Sequence, residues 1–232
     1  MERIEVVSSL DSPFVIPETF SHGLRSAQSI RICSPWVEKP FVHLMKGALQ
    51  KGATVDFLIR RPESVDSTFR AMETLEANGK ESQLDVNVLC VPYLHAKFVV
   101  VDEKSIFFGS ANATNGGLYN NVEVLTAFYD MPSLADRFVR IFESMKKQNQ
   151  NLPWELVRDF HGSSMNRTLV EFVIRYLRQL PDGDSHVAIL NLHLRQHGFD
   201  FHSAKEGIEQ MLRYGYLYSP REDHVKLVPK FE

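Results

Sequence analysis

The chemistry of this chain is concentrated between Tyr93 and Val124, YLHAKFVVVDEKSIFFGSANATNGGLYNNVEV, where His95, Lys97, Asp102, Gly109, Ser110, Asn112 and Glu123 interrupt runs of Val, Ile and Phe. Residues two apart on a strand project to the same face, so a strand through HAK sets His95 and Lys97 side by side. DEKS, residues 102–105, fits a tight turn with Asp in its favoured first position. A hairpin closing on that turn sets Lys97 opposite Ser110 and His95 opposite Asn112, and directly paired residues share a face. The expectation is one polar patch of imidazole, ammonium, hydroxyl and amide on an otherwise apolar sheet.

A phosphodiester needs such a set. It takes a nucleophile for phosphorus, a cation and neutral donors for the non-bridging oxygens, and an acid for the leaving oxygen. Neutral imidazole can attack, Lys97 can neutralise, and Ser110 and Asn112 can donate without adding charge. The acid is missing from one chain, because it calls for a second histidine and no other histidine stands in a matching setting. His224-Val-Lys226 repeats the first letters of the pattern, but Phe231 stands where its acid would be, so it reads as a decoy. Cys33 and Cys90 sit in apolar, strand-like runs and are expected as reduced core residues rather than as a disulfide or metal ligands.

HAKFVVVD, followed by GSAN and Glu123, resembles the HxKxxxxD and GSxN signature of the phospholipase D superfamily, with no core motif position substituted. The likeness spans the strand and helix pattern of roughly residues 25–147 and is greatest to the single-motif members, the small bacterial nucleases and the Zucchini-type enzymes. It implies a homodimer through the catalytic domain, in which two motifs meet across a twofold axis to make one site. One histidine attacks to form a phosphohistidine; its mate protonates the leaving group and then activates water. The resemblance implies no metal and no other cofactor. It gives Lys97 and Asn112 the phosphate, and Glu123 the orientation of a histidine through its second nitrogen. Asp102 and Gly109 are motif positions expected to be structural.

The elements that must position these groups alternate strand and helix, as in an α/β domain. RICSPWV reads as a strand ending at Pro35, PFVHLMKGALQKG as a helix ending at Gly52, TVDFLIRR as a strand, and 65–77 as a helix stopping at Asn78-Gly79. VNVLCVPY, HAKFVVVD, SIFFGSA and VEVLTAFY are four further strands, several apolar on both faces and so central. PSLADRFVRIFESMKKQ closes the domain as an amphipathic helix. The expected fold is a phospholipase D-like mixed sheet flanked by helices on both faces over residues 1–150. A linker follows over 151–166, then a winged helix-turn-helix over 167–232, built of three helices and the hairpin YLYSPREDHVKLV.

A winged helix reads nucleic acid through its third helix, here 203–214, and its wing, which makes Lys205, Arg213, Arg221 and Lys226 the candidate contacts. Residues 151–232 carry ten basic and eleven acidic side chains, a weak footprint for a polyanion. Arg60 and Arg61, at a strand end, are either backbone contacts or a solvated rim. A net charge of -3 means that any phosphate site is local. No apolar run is long enough to cross a bilayer, and the start of the chain lacks a signal peptide's apolar core, so a cytoplasmic protein without a membrane partner is expected. The leading expectation is a metal-independent nuclease acting on DNA, or on RNA. A phospholipid hydrolase or phosphatidyl transferase of the same mechanism is one alternative; a non-catalytic binding or assembly subunit of a repair or defence complex is the other.

Overall fold

The computed structural model describes residues 2–62, 66–82, 85–148, 151–162 and 166–228, and it divides into two units, 1–154 and 155–232. The first unit runs β1 (Arg3–Ser8), α1 (Val15–Leu24), β2 (Ser29–Ser34), α2 (Lys39–Leu44), α3 (Lys46–Leu49), β3 (Thr54–Arg60), α4 (Ser67–Ser82) and β4 (Val86–Val91). It continues with β5 (Phe98–Val101), β6 (Ser105–Gly109), β7 (Val124–Tyr129), α5 (Pro132–Lys146) and the short β8 (Leu152–Pro153). The eight strands form one mixed sheet in the order β1-β7-β6-β5-β2-β3-β4-β8. The pairs β2–β3 and β3–β4 are parallel; the others are antiparallel.

Strand alternation sorts the apolar side chains onto two faces. Phe107 points to the α1 side, where Phe20 lies 5.7 Å from it and 5.3 Å from Phe41. A Cβ on Gly23 would come within 2.2 Å of the Phe107 ring, so only glycine lets α1 approach this closely. Phe98 and Phe108 point to the opposite side, against Phe138 of α5 at 5.2 and 5.7 Å, and buried Phe142 completes that layer with Cys33, Leu58 and Val100. Both cysteines are buried and neither is in a disulfide among the described residues.

Two helices depart from expectation. The one expected over 40–52 is broken at Met45 into α2 and α3, and α4 runs through Asn78-Gly79 to Ser82. One glycine inside a helix costs only about 1 kcal/mol, less than the burial of Phe69, Met72 and Leu75 on the inner face contributes. The stretch 151–166, read as a linker, carries β8 and a helix, α6 (Trp154–Gly162), and the two units divide between Trp154 and Glu155.

The second unit continues from α6 with α7 (Arg167–Gln179), β9 (Asp184–His186), α8 (Val187–Gln196), α9 (Phe201–Arg213), β10 (Leu217–Tyr218) and β11 (His224–Leu227). Its strands form an antiparallel sheet in the order β10-β11-β9. Side chains of Asn166, His186 and Asp200 cap the three helices that follow them. Leu169, Val173 and Leu177 of α7 and Ile208 and Met211 of α9 are buried. The buried Tyr216 hydroxyl donates to Asp159 of α6, and burial together with that carboxylate pushes the phenol well above its ordinary range.

Candidate active site

The sheet brings one set of chain segments to a common end. Strand pairing places the C-termini of β1, β2, β3, β4 and β6 there with the N-termini of β5 and β7. The residues that follow or precede those termini are Pro35-Trp36, Arg60-Arg61, Tyr93 to Lys97, Ser110 to Asn112 and Glu123.

At this end His95 is exposed and Lys97 half-buried. The Lys97 ammonium donates to the His95 carbonyl at 2.9 Å and lies 3.5 Å from His95 Nε2. An ammonium can only donate, so in this contact His95 Nε2 is the acceptor and any ring proton sits on Nδ1. His95, Lys97, Phe98, Phe108, Ser110 and Asn112 line one cavity of about 630 Å³. Asn112 lines the cavity beside the imidazole and the cation, and its Oδ1 is buried without a hydrogen-bond partner among the described residues.

The register differs from the sequence expectation by one residue. Val101 pairs with Ser105 and Phe98 with Phe108, so the turn holds three residues, Asp102, Glu103 and Lys104, rather than two. Asp102 and Glu103 both lie in the left-handed region, at φ of 50° and 53°. A one-residue slip exchanges faces, and on a ladder extended in this register Lys97 would face Gly109 and His95 would face Ala111. Lys97 is therefore not opposite Ser110, nor His95 opposite Asn112. The four come together because the ladder stops: β5 begins at Phe98, β6 ends at Gly109, and the patch forms where both segments leave strand geometry.

Ser110 and Glu123 are tied to each other. The Ser110 N–H donates to the Val124 carbonyl at 3.0 Å, the Val124 N–H donates to Ser110 Oγ at 3.1 Å, and that hydroxyl donates to a Glu123 oxygen. The second Glu123 oxygen accepts from Asn121 Nδ2 at 3.2 Å, and the Glu123 N–H donates to Ser9 Oγ at 2.9 Å. Glu123 is buried, not an outward-facing strand residue, and these bonds do not run to the His95 ring of its own chain. Ser9 and Asn121 were not singled out from sequence; Asn121 sits two residues before Glu123, on the same side of an extended segment, which was the available signal. Gly109 is needed because a Cβ there would stand 2.1 Å from the Val124 carbonyl.

Asp102 lies at the other end of the hairpin. Its Oδ1 accepts from the backbone N–H groups of Gln28 at 2.8 Å and Ser29 at 2.9 Å, joining the turn to the start of β2. In the second unit, Lys205 pairs with Glu209 at 3.9 Å and Arg221 with Asp184 at 3.2 Å, Lys226 lies in β11, and Arg213 is exposed at the end of α9. His224 of the decoy pattern bonds to Asp184 at 3.0 Å. Among the described residues no group of three His, Cys, Asp or Glu side chains could hold a metal ion. Burial pushes the Cys33 thiol up to about 12 while the charge of Lys97 pulls it down, so it is a protonated core group rather than a nucleophile.

Residues 22–146, more than half of the chain, match the family described as cardiolipin synthase, PLD-like domain. The chain is 31% identical over 131 residues to DISARM protein DrmC of Bacillus paralicheniformis, an alignment covering 53% of this chain and 52% of that one, so it spans about half the length of this curated relative. Nuc, a phospholipase D family member from Salmonella typhimurium, superposes with a TM-score of 0.57 at 19% identity, covering 66% of this chain and 98% of its own. NucT from Helicobacter pylori gives 0.53 at 18% identity, covering 63% and 97%. At these identities the two structures speak for the fold. Among the described residues no helix is long and apolar enough to cross a membrane. The helix-flanked mixed sheet, the HxKxxxxD segment at its open end and the matched span agree: this chain belongs to the phospholipase D superfamily of phosphodiesterases.

Proposed function

We propose that this chain is a metal-independent nuclease that cleaves DNA, or RNA, through a phosphohistidine at a site shared by two copies. The observation that carries the reading is the cavity where His95, Lys97 and Asn112 converge. His95 Nε2 attacks phosphorus and the bond to the leaving oxygen breaks, while Lys97 and the Asn112 amide hold the non-bridging oxygens. A histidine from the second copy protonates the leaving oxygen. That neutral histidine then takes a proton from water, whose oxygen displaces His95 from phosphorus and restores both rings.

Two features support a second copy. The cavity of one chain is lined by one histidine. Beside it, Ile4 and Val6 of β1, Val124 of β7 and Phe108 of β6 are exposed on one face of the sheet, an apolar surface that continues into the cavity through Phe108. Because Glu123 is held by Ser110 within its own chain, the group that fixes the attacking ring's second nitrogen would come from the facing copy. For residues 167–228, the order helix, strand, helix, helix, hairpin and the three-stranded sheet support a winged-helix reading, with α9 as its third helix and Lys205 and Arg213 as exposed cations on it.

The test is turnover of labelled single-stranded DNA, duplex DNA, RNA and phospholipid vesicles, side by side in EDTA, by wild type and His95→Ala. Polynucleotide cleavage that His95→Ala abolishes is expected. Turnover of lipid alone would sink the nuclease reading, and full biological function in His95→Ala would make the chain an assembly subunit.

A further inference from the structure

The end of the sheet that holds the cavity also carries two aromatic side chains that packing does not explain. Tyr93 is 86% exposed and Trp36 38% exposed. Tyr93 also holds its backbone at φ 58°, a left-handed conformation that is an outlier for a bulky residue and that persists only where the surroundings enforce it. Here the surroundings are the connection from β4 to β5. In the order β5-β2-β3-β4, residues 92–97 must pass the ends of β3 and β2 to reach β5, a span of three strand spacings of about 4.8 Å each. Tyr93 projects from the start of that crossing and His95 lies near its close.

Trp36 and Arg60 occupy the ends of the strands being crossed. Trp36 follows β2, and its neighbourhood is fixed by the Ser34 hydroxyl, which donates to the Trp36 carbonyl at 2.8 Å and accepts from the Ala113 N–H at 3.1 Å, next to Asn112. Arg60 ends β3, its N–H bonded to the Pro35 carbonyl at 3.1 Å and its guanidinium 5.9 Å from the centre of the Trp36 ring, within cation–π reach. Arg60 and the exposed Lys39 outnumber the one acid between Trp36 and Lys39, Glu38, whose two oxygens are held by Ser67 at 2.8 Å and the Asn115 N–H at 2.8 Å.

Exposed rings that alternate with cations beside a phosphate-handling cavity match what an unpaired strand offers, namely base faces between phosphates. A duplex keeps its base faces stacked inside and cannot use them. We infer that Trp36, Arg60 and Tyr93 form a stacking platform for a single-stranded polynucleotide entering the His95 cavity, an inference that rests on the nuclease reading and adds strandedness to it.

Of the two tryptophans, Trp154 is buried and Trp36 is exposed, so intrinsic fluorescence reports on the platform. Full-length His95→Ala protein, which binds without cleaving, is titrated with a labelled single strand, an abasic strand of equal length and a duplex, following both tryptophan emission and anisotropy. The single strand should quench Trp36 and bind tighter than the abasic strand. Trp36→Ala or Tyr93→Ala added to this protein should weaken the single strand about fivefold to a hundredfold, the range for loss of one stacked base, and Tyr93→Phe should restore it. Trp36→Phe should retain affinity while losing the quench. Equal affinity for base-bearing and abasic strands, equal quenching by duplex, or alanine variants that bind like their parent would overturn the platform. Failure of wild type to cleave any polynucleotide would instead overturn the nuclease reading, whatever the binding shows.

Discussion

The two ends of the β5–β6 hairpin use their polar residues in opposite ways. At the turn, Asp102 spends its carboxylate on two backbone N–H groups of the neighbouring segment, and Glu103 pairs with Arg31 at 3.0 Å. At the open end, His95 and Lys97 have mainly each other, Asn112 keeps a buried oxygen without a partner among the described residues, and the space between them is empty of side chains. A motif of eight residues therefore reaches from one end of an interior strand to the other. Its acid is tied into the backbone and its base, on the proposed mechanism, does the chemistry, and mutation should separate them.

The largest effect expected is at His95. His95→Ala should reduce turnover about a thousandfold or more, as loss of a nucleophile does, with little change in thermal unfolding because the ring is exposed. Asp102→Ala should do the reverse. It strands the N–H groups of Gln28 and Ser29 and should cost about 2–3 kcal/mol in chemical denaturation, while activity per folded molecule is kept. A turnover loss at Asp102 as deep as at His95, in folded protein, would erase the contrast between the ends.

On the proposed shared site, the open end needs a second copy and the turn does not. Val6 is exposed on the apolar face beside the cavity. Val6→Lys buries a charge in any interface formed there and should raise the dimer dissociation constant at least about tenfold, near 1.4 kcal/mol, in analytical sedimentation. Activity should fall with dilution in step with the dimer. A fully active, stable monomer would remove the need for a second histidine.

Much of this division was legible in the sequence. The apolar runs around Cys33, Phe57, Cys90, Val99, Phe107 and Leu125 are strands because residues buried on both faces leave few other choices. His95, Lys97, Ser110 and Asn112 are brought to one cavity, as the motif spacing suggested, but the route was misread. DEKS fits turns of two or three residues, and whether Asp102 and Glu103 accept left-handed backbone depends on the hydrogen bonds Asp102 makes to β2, a partner 73 residues away. Strand β1 was not read at all, because its Ile4 and Val6 face outward and its burial pattern is inverted. Sequence makes Glu123 a motif acid expected to orient a histidine; within its own chain it is buried and bonded to Ser110 and Asn121, with its N–H on Ser9, and of these only Asn121 lies at a spacing that local periodicity links to it.

The smallest effect sharpens what the turn acid contributes. Both backbone bonds fall on Oδ1 of Asp102, so Asp102→Asn keeps an acceptor in place and lets the amide nitrogen occupy the position of Oδ2. Asn also tolerates the left-handed φ of 50° that this position adopts. Only the charge is lost. Bonds to a carboxylate are about twice as strong as neutral ones, so roughly half of the alanine penalty, near 1 kcal/mol, should remain. Unfolding by urea at constant pH measures it, with kcat as the control. A penalty equal to that of Asp102→Ala would show that charge, not geometry, closes the turn, whereas no penalty would show that any acceptor serves. In either case the cavity 95–112 should be unaffected, because the strand length of the hairpin separates it from the substituted atom.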